Sequence, residues 1–247
     1  MDIDKKKLTD LIEENYIYAS VLHHFGIDFY NYSEQTLQQV CLEKNLNPAI
    51  VIENLESVNQ KGEEHDLSLI SFPLDLIIEY LKHKHYIFIK QTLPYLVKLI
   101  ECYPSNSKFD IVEDIKVVFP LFVEDFVEHI HEEEDTFFKY VLLLDKATKK
   151  TVNYGRLYYA MEKNSVKEFA KGHEVHDDVM AGIRSITNNY QIKSDSPVLL
   201  KVIYSELQAF EKNLIIHAKI ENEVLIPKAR LIEQEIKEQH LKYSLLN

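Results

Sequence analysis

Two stretches of the chain repeat one four-residue step from an imidazole to a carboxylate, His129 to Glu133 and His217 to Glu221. On an α-helix this spacing stacks both side chains on a single face. In each stretch that face is the apolar one. The first series reads Phe119, Phe122, Phe126, His129, Glu133, Phe137, Tyr140, Leu144, and the second Leu207, Phe210, Leu214, His217, Glu221, Leu225, in steps of three and four. Two acids and two imidazoles therefore point into one core. Taking an ionised carboxylate out of water costs on the order of several kcal/mol unless a cation or a dense set of donors compensates it. A bound metal is the direct compensation.

The same reading of two further helical patterns adds histidines. The stripe Leu74, Ile78, Leu81, His85, Phe88, Thr92, Tyr95 carries His85, and the stripe Phe169, His173, His176, Met180, Ile183 carries two. A lone histidine on an apolar stripe is more often a hydrogen-bonded core residue than a ligand. Four helices that each donate one are a different case, because a metal-free core would have to satisfy two carboxylates and four imidazoles from one another. His83 shares a face with Tyr80 and Lys90, and His65, His131 and His240 fall on polar faces or outside the pattern. Glu132, Glu134 and Asp135 read as a solvated face.

The elements that position these groups follow from punctuation. With 5 Gly and 7 Pro in 247 residues, long Leu-, Ile-, Lys- and Glu-rich stretches dominate, which predicts an all-α fold. Short helices are expected over 8–24, 34–43 and 48–58, with Ser33 as an N-cap and Pro48 at a helix start. They form a small N-terminal domain, residues 1–60. The polar stretch 61–70 reads as a linker. Long helices are expected over 73–102, 110–149, 156–190 and 196–239, so residues 71–247 form an up-down four-helix bundle. Pro94, Pro120 and Pro227 lie inside these patterns and predict kinks or local breaks.

Composition bounds the function. The formal net charge of -12 repels phosphate backbones, and no basic stripe interleaves with aromatics, so nucleic acid is not an expected partner. No apolar run reaches membrane-span length, and Met1 to Lys7 leads into no apolar leader segment, which predicts a cytoplasmic chain without membrane attachment. Cys41 and Cys102 show no disulfide or thiolate-metal spacing. Nitrogen and oxygen donors without sulfur fit iron, manganese, zinc or nickel, and imidazole with carboxylate in a bundle leans to iron. Two carboxylates in one core can bridge a pair of ions. Two six-coordinate ions need about twelve bonds, and four His with two bridging Glu give about eight, which leaves room for an oxo or hydroxo bridge, water or a small ligand. The carboxylate-rich di-iron design uses two Glu-x-x-His pairs. Here that spacing occurs at Glu128 to His131, which faces away from the stripe.

The stretches His129–Glu134, Glu174–Asp178 and His217–Lys228, with His85 ahead of Leu93-Pro94, resemble the haemerythrin-like iron-sulfur cluster repair di-iron proteins. The N-terminal stretches Ala19–Phe29 and Thr36–Cys41 are similar to that family's small leading domain. The resemblance implies a non-haem centre of two irons in a cytoplasmic bundle. Its ligands would be His85, His129, Glu133, His176, His217 and Glu221, the two Glu bridging. It further implies a role in restoring iron-sulfur clusters damaged by oxidative or nitrosative stress, with iron-sulfur proteins as clients and O2 and NO as small ligands. Two departures stand out. The family's paired cysteines after Gly-Ile-Asp-Phe are Tyr30 and Asn31 here, and a further family histidine has no counterpart in 101–107, where His173 could substitute. The alternatives are a haemerythrin-like sensor or store for O2 or NO without repair activity, and a bundle that has lost its metal. Enzymatic turnover, and a monomer against a homodimer, stay open.

Overall fold

The computed structural model of the chain describes residues 3–60, 70–104, 111–149, 152–174 and 178–245. The fold is all-α, as expected. Among the described residues the sole extended pairing is an isolated bridge between Lys7 and Thr36. The chain divides into two compact units. One comprises Met1–Glu64, Leu96–Ile115 and Arg184–Phe210, the other His65–Tyr95, Lys116–Ile183 and Glu211–Asn247. The expected linker, apart from Ile70, lies outside the described residues.

In the first unit, the expected helix over 8–24 is two helices, α1 (Leu8–Glu14) and α2 (Tyr18–His24). Asn15 divides them, its side chain accepting from the Ile17 N–H at 3.1 Å, a local bond that competes with helix propagation. Gly26, at φ +72, closes α2, with the Ile27 N–H bonded back to the Leu22 carbonyl at 2.9 Å. The N-cap of α3 (Leu37–Glu43) is Thr36 and not Ser33. Thr36 forms a capping box with Gln39, the two bonds measuring 3.3 and 2.9 Å. Next comes α4 (Pro48–Gln60), which starts at the proline as its sequence requires. Leu8, Leu11, Ile12, Leu22, Leu37, Val40, Val51 and Leu55 are fully buried, so these short helices share one core. Lys98, in the Leu96–Ile115 segment of the same unit, donates to both Asp28 oxygens at 2.8 Å.

The second unit is a helical bundle. Its elements are α5 (Leu74–Ile87), α6 (Leu93–Glu101), α7 (Ile111–Glu133), α8 (Lys139–Thr148), α9 (Tyr154–Lys163), α10 (Val166–Glu174), α11 (Ala181–Ile186), α12 (Val198–Ile220) and α13 (Ile226–Leu245), with α6, α7, α11 and α12 extending into the first unit. The expected helix over 156–190 is not continuous. Asn164 ends α9 in extended geometry, its side chain donating to the Ala160 carbonyl at 2.9 Å, and the chain restarts at Val166. Ile77, Ile78, Leu81, Phe138, Val141, Leu144, Leu157, Val166 and Leu225 form the dry centre.

Among the described residues three wide π turns interrupt the long helices, at Phe88–Thr92, Glu134–Phe138 and Glu221–Leu225. Pro94 and Pro227 each follow one of them by two residues. A proline has no N–H for the carbonyl four residues back and its ring crowds that carbonyl, so a widened turn relieves both defects where breaks were expected. Pro120 sits within α7 without such a turn. Each π turn shifts the buried register by one residue. After Phe88 the buried series resumes at Leu93, a step of five, and Thr92 is only half-buried.

Glu206, on the part of α12 in the first unit, is half-buried, and burial lifts its carboxyl to about 7. Between its ordinary value of 4.5 and about 7 the folded chain keeps a proton that the unfolded chain has released, so this group lowers stability as pH rises through that window. Glu206→Gln is expected to raise the unfolding free energy at pH 8 by about 1 kcal/mol or more and to leave it nearly unchanged at pH 4. Paired urea titrations at the two pH values check this.

Candidate metal centre

Four side chains converge in the second unit: His85 from α5, Glu133 from the end of α7, His217 from α12 and Glu221 at the head of the last π turn. One donor atom from each lies within 4.8 Å of every other. His85, Glu133 and Glu221 are 1 to 2 % exposed and His217 is 8 % exposed. His85 Nε2 is 3.0 Å from His217 Nε2 and 3.6 Å from Glu133 Oε2, and His217 Nε2 is 2.9 Å from Glu221 Oε1. Donors bound about 2.1 Å from a first-row cation, at right angles to one another, sit about 3 Å apart. The separations of 2.9 and 3.0 Å match that spacing, and the one of 3.6 Å is wider.

Protonation favours the same conclusion. Burial, then the His217 ring, push the His85 imidazole down to about 4, so it is neutral at ordinary pH. Its Nδ1 stands 2.8 Å from Glu134 Oε1. An ionised carboxylate can only accept, so Nδ1 carries the hydrogen and Nε2 offers a lone pair toward His217. Burial, then the Glu221 carboxylate, raise Glu133 well above the usual range, and Glu134 pushes the same way. Two buried acids and two imidazole nitrogens thus share one small volume. His217 Nδ1 is also buried and finds no hydrogen-bond partner among the described residues. Such a set can hold a divalent cation, which would convert mutual repulsion into coordination.

Aromatic rings seal the site. Phe138 lies parallel to His85 at 5.6 Å and 2°, and Phe88 meets the His217 ring edge-on at 5.7 Å and 73°. Phe126 is 6.1 Å behind Phe88, and Phe122 a further 5.6 Å along α7. Their low polarity strengthens every charge interaction inside.

The six residues expected from sequence are distributed as follows. His85, Glu133, His217 and Glu221 come together. His129, one turn before Glu133 on α7, is half-buried and is not among the four converging donors. His176 lies outside the described residues. His173 falls in α10, and its side chain is outside the described set. Glu132 and Asp135 are exposed, as expected, and so are Glu128 and His131.

Glu134 corrects the reading of that segment as a solvated face: it is partly buried and bonded to His85. In an uninterrupted α-helix neighbouring residues diverge around the axis. Here α7 gives way to the π turn at Glu134, and both Glu133 and Glu134 reach one imidazole from its two sides. A carboxylate on the far nitrogen of a ligating histidine fixes tautomer and ring orientation. The signal that could have found it is the buried pair Phe137 and Phe138, which a strict three-and-four pattern does not allow on one face.

No protein-family model matches the chain. Individual relatives do, along most of its length. A probable iron-sulfur cluster repair protein of Haemophilus influenzae is 21% identical over 235 residues, covering 92% of this chain and 98% of that protein. The iron-sulfur cluster repair protein ScdA of Staphylococcus haemolyticus is 16% identical over 225 residues, 90% of this chain and 96% of its own length. The iron-sulfur cluster repair protein YtfE of an Enterobacter species is 21% identical over 211 residues, 85% and 90% of the two chains.

Without a cation, two neighbouring buried carboxyls disfavour any state in which both are ionised, so Glu221→Gln is expected to raise stability near neutral pH by about 1–3 kcal/mol. The same variant should lose most of the stabilisation that added ferrous ion gives the parent. Thermal unfolding with chelator and with iron measures both effects.

Proposed function

We propose that this chain, similar along nearly its whole length to iron-sulfur cluster repair proteins, is a cytoplasmic di-iron protein that helps restore iron-sulfur clusters damaged by oxidative or nitrosative stress. The observation that carries this reading is the buried set of four donors spaced as ligands of one cation, His85, Glu133, His217 and Glu221. The relatives' names supply the process. One ion would take these four residues. A second would share Glu133 and Glu221 and draw on His129 and His176, with His173 in reserve. Iron bound there supplies one-electron redox chemistry and open coordination positions for ligands such as O2 or NO.

The chain's own residues set the conditions for that chemistry. Glu134 holds the His85 ring so that Nε2, and not Nδ1, faces the site. Glu133 and Glu221 bring two negative charges that offset the ions and hold the ends of α7 and α12 at one point. Phe138 and Phe88 exclude water around the imidazoles. Iron-sulfur proteins are the clients in this reading. Thiol chemistry at Tyr30 and Asn31 is absent, and of the two free cysteines Cys41 is buried and Cys102 exposed. Repair is thereby assigned to the bundle and not to the N-terminal helices.

Protein produced with iron is expected to hold about two irons per chain and to reactivate a nitric-oxide-damaged cluster enzyme in a purified assay. Iron that stays bound without any reactivation, while the optical spectrum responds reversibly to O2 or NO, would replace repair by gas sensing or storage. Glu134→Ala should weaken iron binding about 10- to 100-fold with little change in helix content. Competition against a chelator, followed optically, reads that change.

A further inference from the structure

Helices α8 and α9 border a groove of about 740 Å³ whose charge opposes that of the whole chain. Lys139, Lys146, Arg156 and Lys163 line it, with Asp135 as its one lining acid. Asp135 is engaged by Lys139 at 2.7 Å, which leaves the groove clearly cationic in a protein of formal charge -12. The floor is different: Leu142, Leu143 and Ala160 are partly buried side chains packed on the bundle core. A smaller cavity of about 200 Å³ adjoins it, sharing Thr136, Tyr140, Lys163 and Asn164 with the groove. Tyr159 is 59 % exposed, and the Lys163 ammonium sits 4.6 Å from its ring centre, so one wall offers both an aromatic face and a cation.

We propose that this groove docks an acidic, partly apolar peptide segment of a partner protein. An acidic protein repels polyanions over most of its surface, and a cationic cleft concentrates them at one place. A purely electrostatic ligand would have no use for the Leu142–Leu143 floor, whereas alternating acidic and apolar side chains use rim and floor together. The lining from Asp135 to Lys146 spans roughly 16 Å of helix, the reach of about five extended residues. Arg156 presents a planar fork suited to a carboxylate, and the lysines act as point charges. Asp135 and Thr136, at one end of the groove, belong to the π turn that begins with Glu134. A docked segment therefore lies next to the turn that orients His85. This site goes beyond the repair reading and would stand whether the metal centre repairs clusters or senses gases.

The test uses the full chain and a fluorescein-labelled hexapeptide of alternating leucine and glutamate, followed by anisotropy. Saturable binding below about 1 mM that weakens as salt rises is expected. Lys146→Glu with Arg156→Glu should weaken it about tenfold or more, and the distant pair Lys44→Glu with Lys193→Glu should leave it unchanged. Far-ultraviolet circular dichroism and a urea midpoint matching the parent show that both variants are folded. Binding that ignores the Lys146 and Arg156 reversals overturns the proposal. So does equal binding of the peptide with serine in place of leucine, or displacement by inorganic phosphate or by phosphatidylglycerol vesicles at matched charge, since either would mean simple anion capture.

Discussion

Two carboxylates, Glu133 and Glu221, are packed among aromatic rings at nearly complete burial, and each raises the cost of ionising the other. Neither their hydration nor their mutual repulsion favours this arrangement. Every feature around them makes sense as accommodation of positive charge: two imidazole nitrogens turned toward them, a third carboxylate that fixes one of those rings, and an apolar wall that keeps water from competing. The ends of α7 and α12 are drawn to one point by that requirement. Ordinary core packing would have placed leucine there at lower cost.

The second helix of the motif pair was fully legible from spacing. Leu207, Phe210, Leu214, His217, Glu221 and Leu225 are all buried, because α12 is regular up to the residue where its π turn starts. The stripe with His85 was legible as far as Phe88 and then slipped, since no simple period anticipates a five-residue step. Glu134 was missed for the same reason. Likewise the division of α1 from α2 at Asn15, and of α9 from α10 at Asn164, depended on side-chain bonds to the local backbone that a period count does not register. Each of these short polar residues ends a helix that a period count runs straight through.

The two proline-associated π turns and the proline-free one play different parts. Before Pro94 and Pro227 the widened turn answers a missing donor, and its effect on the site is incidental to that need. At Glu134–Phe138 no proline asks for it. There the turn places two neighbouring acids around His85 and leaves the next two residues, Asp135 and Thr136, at the edge of a cationic groove. One local irregularity thus serves the metal-facing side and the outward side of the same helix.

The acid pair also gives the empty protein a distinct physical character. A cation between Glu133 and Glu221 would clasp two helices, whereas without one the pair is held only by the proton that burial keeps on Glu133. The difference would be felt at the junctions of α7 and α12 with their π turns, where each acid sits. If the set holds an ion, a protease would find those two junctions more readily in protein from which it has been removed.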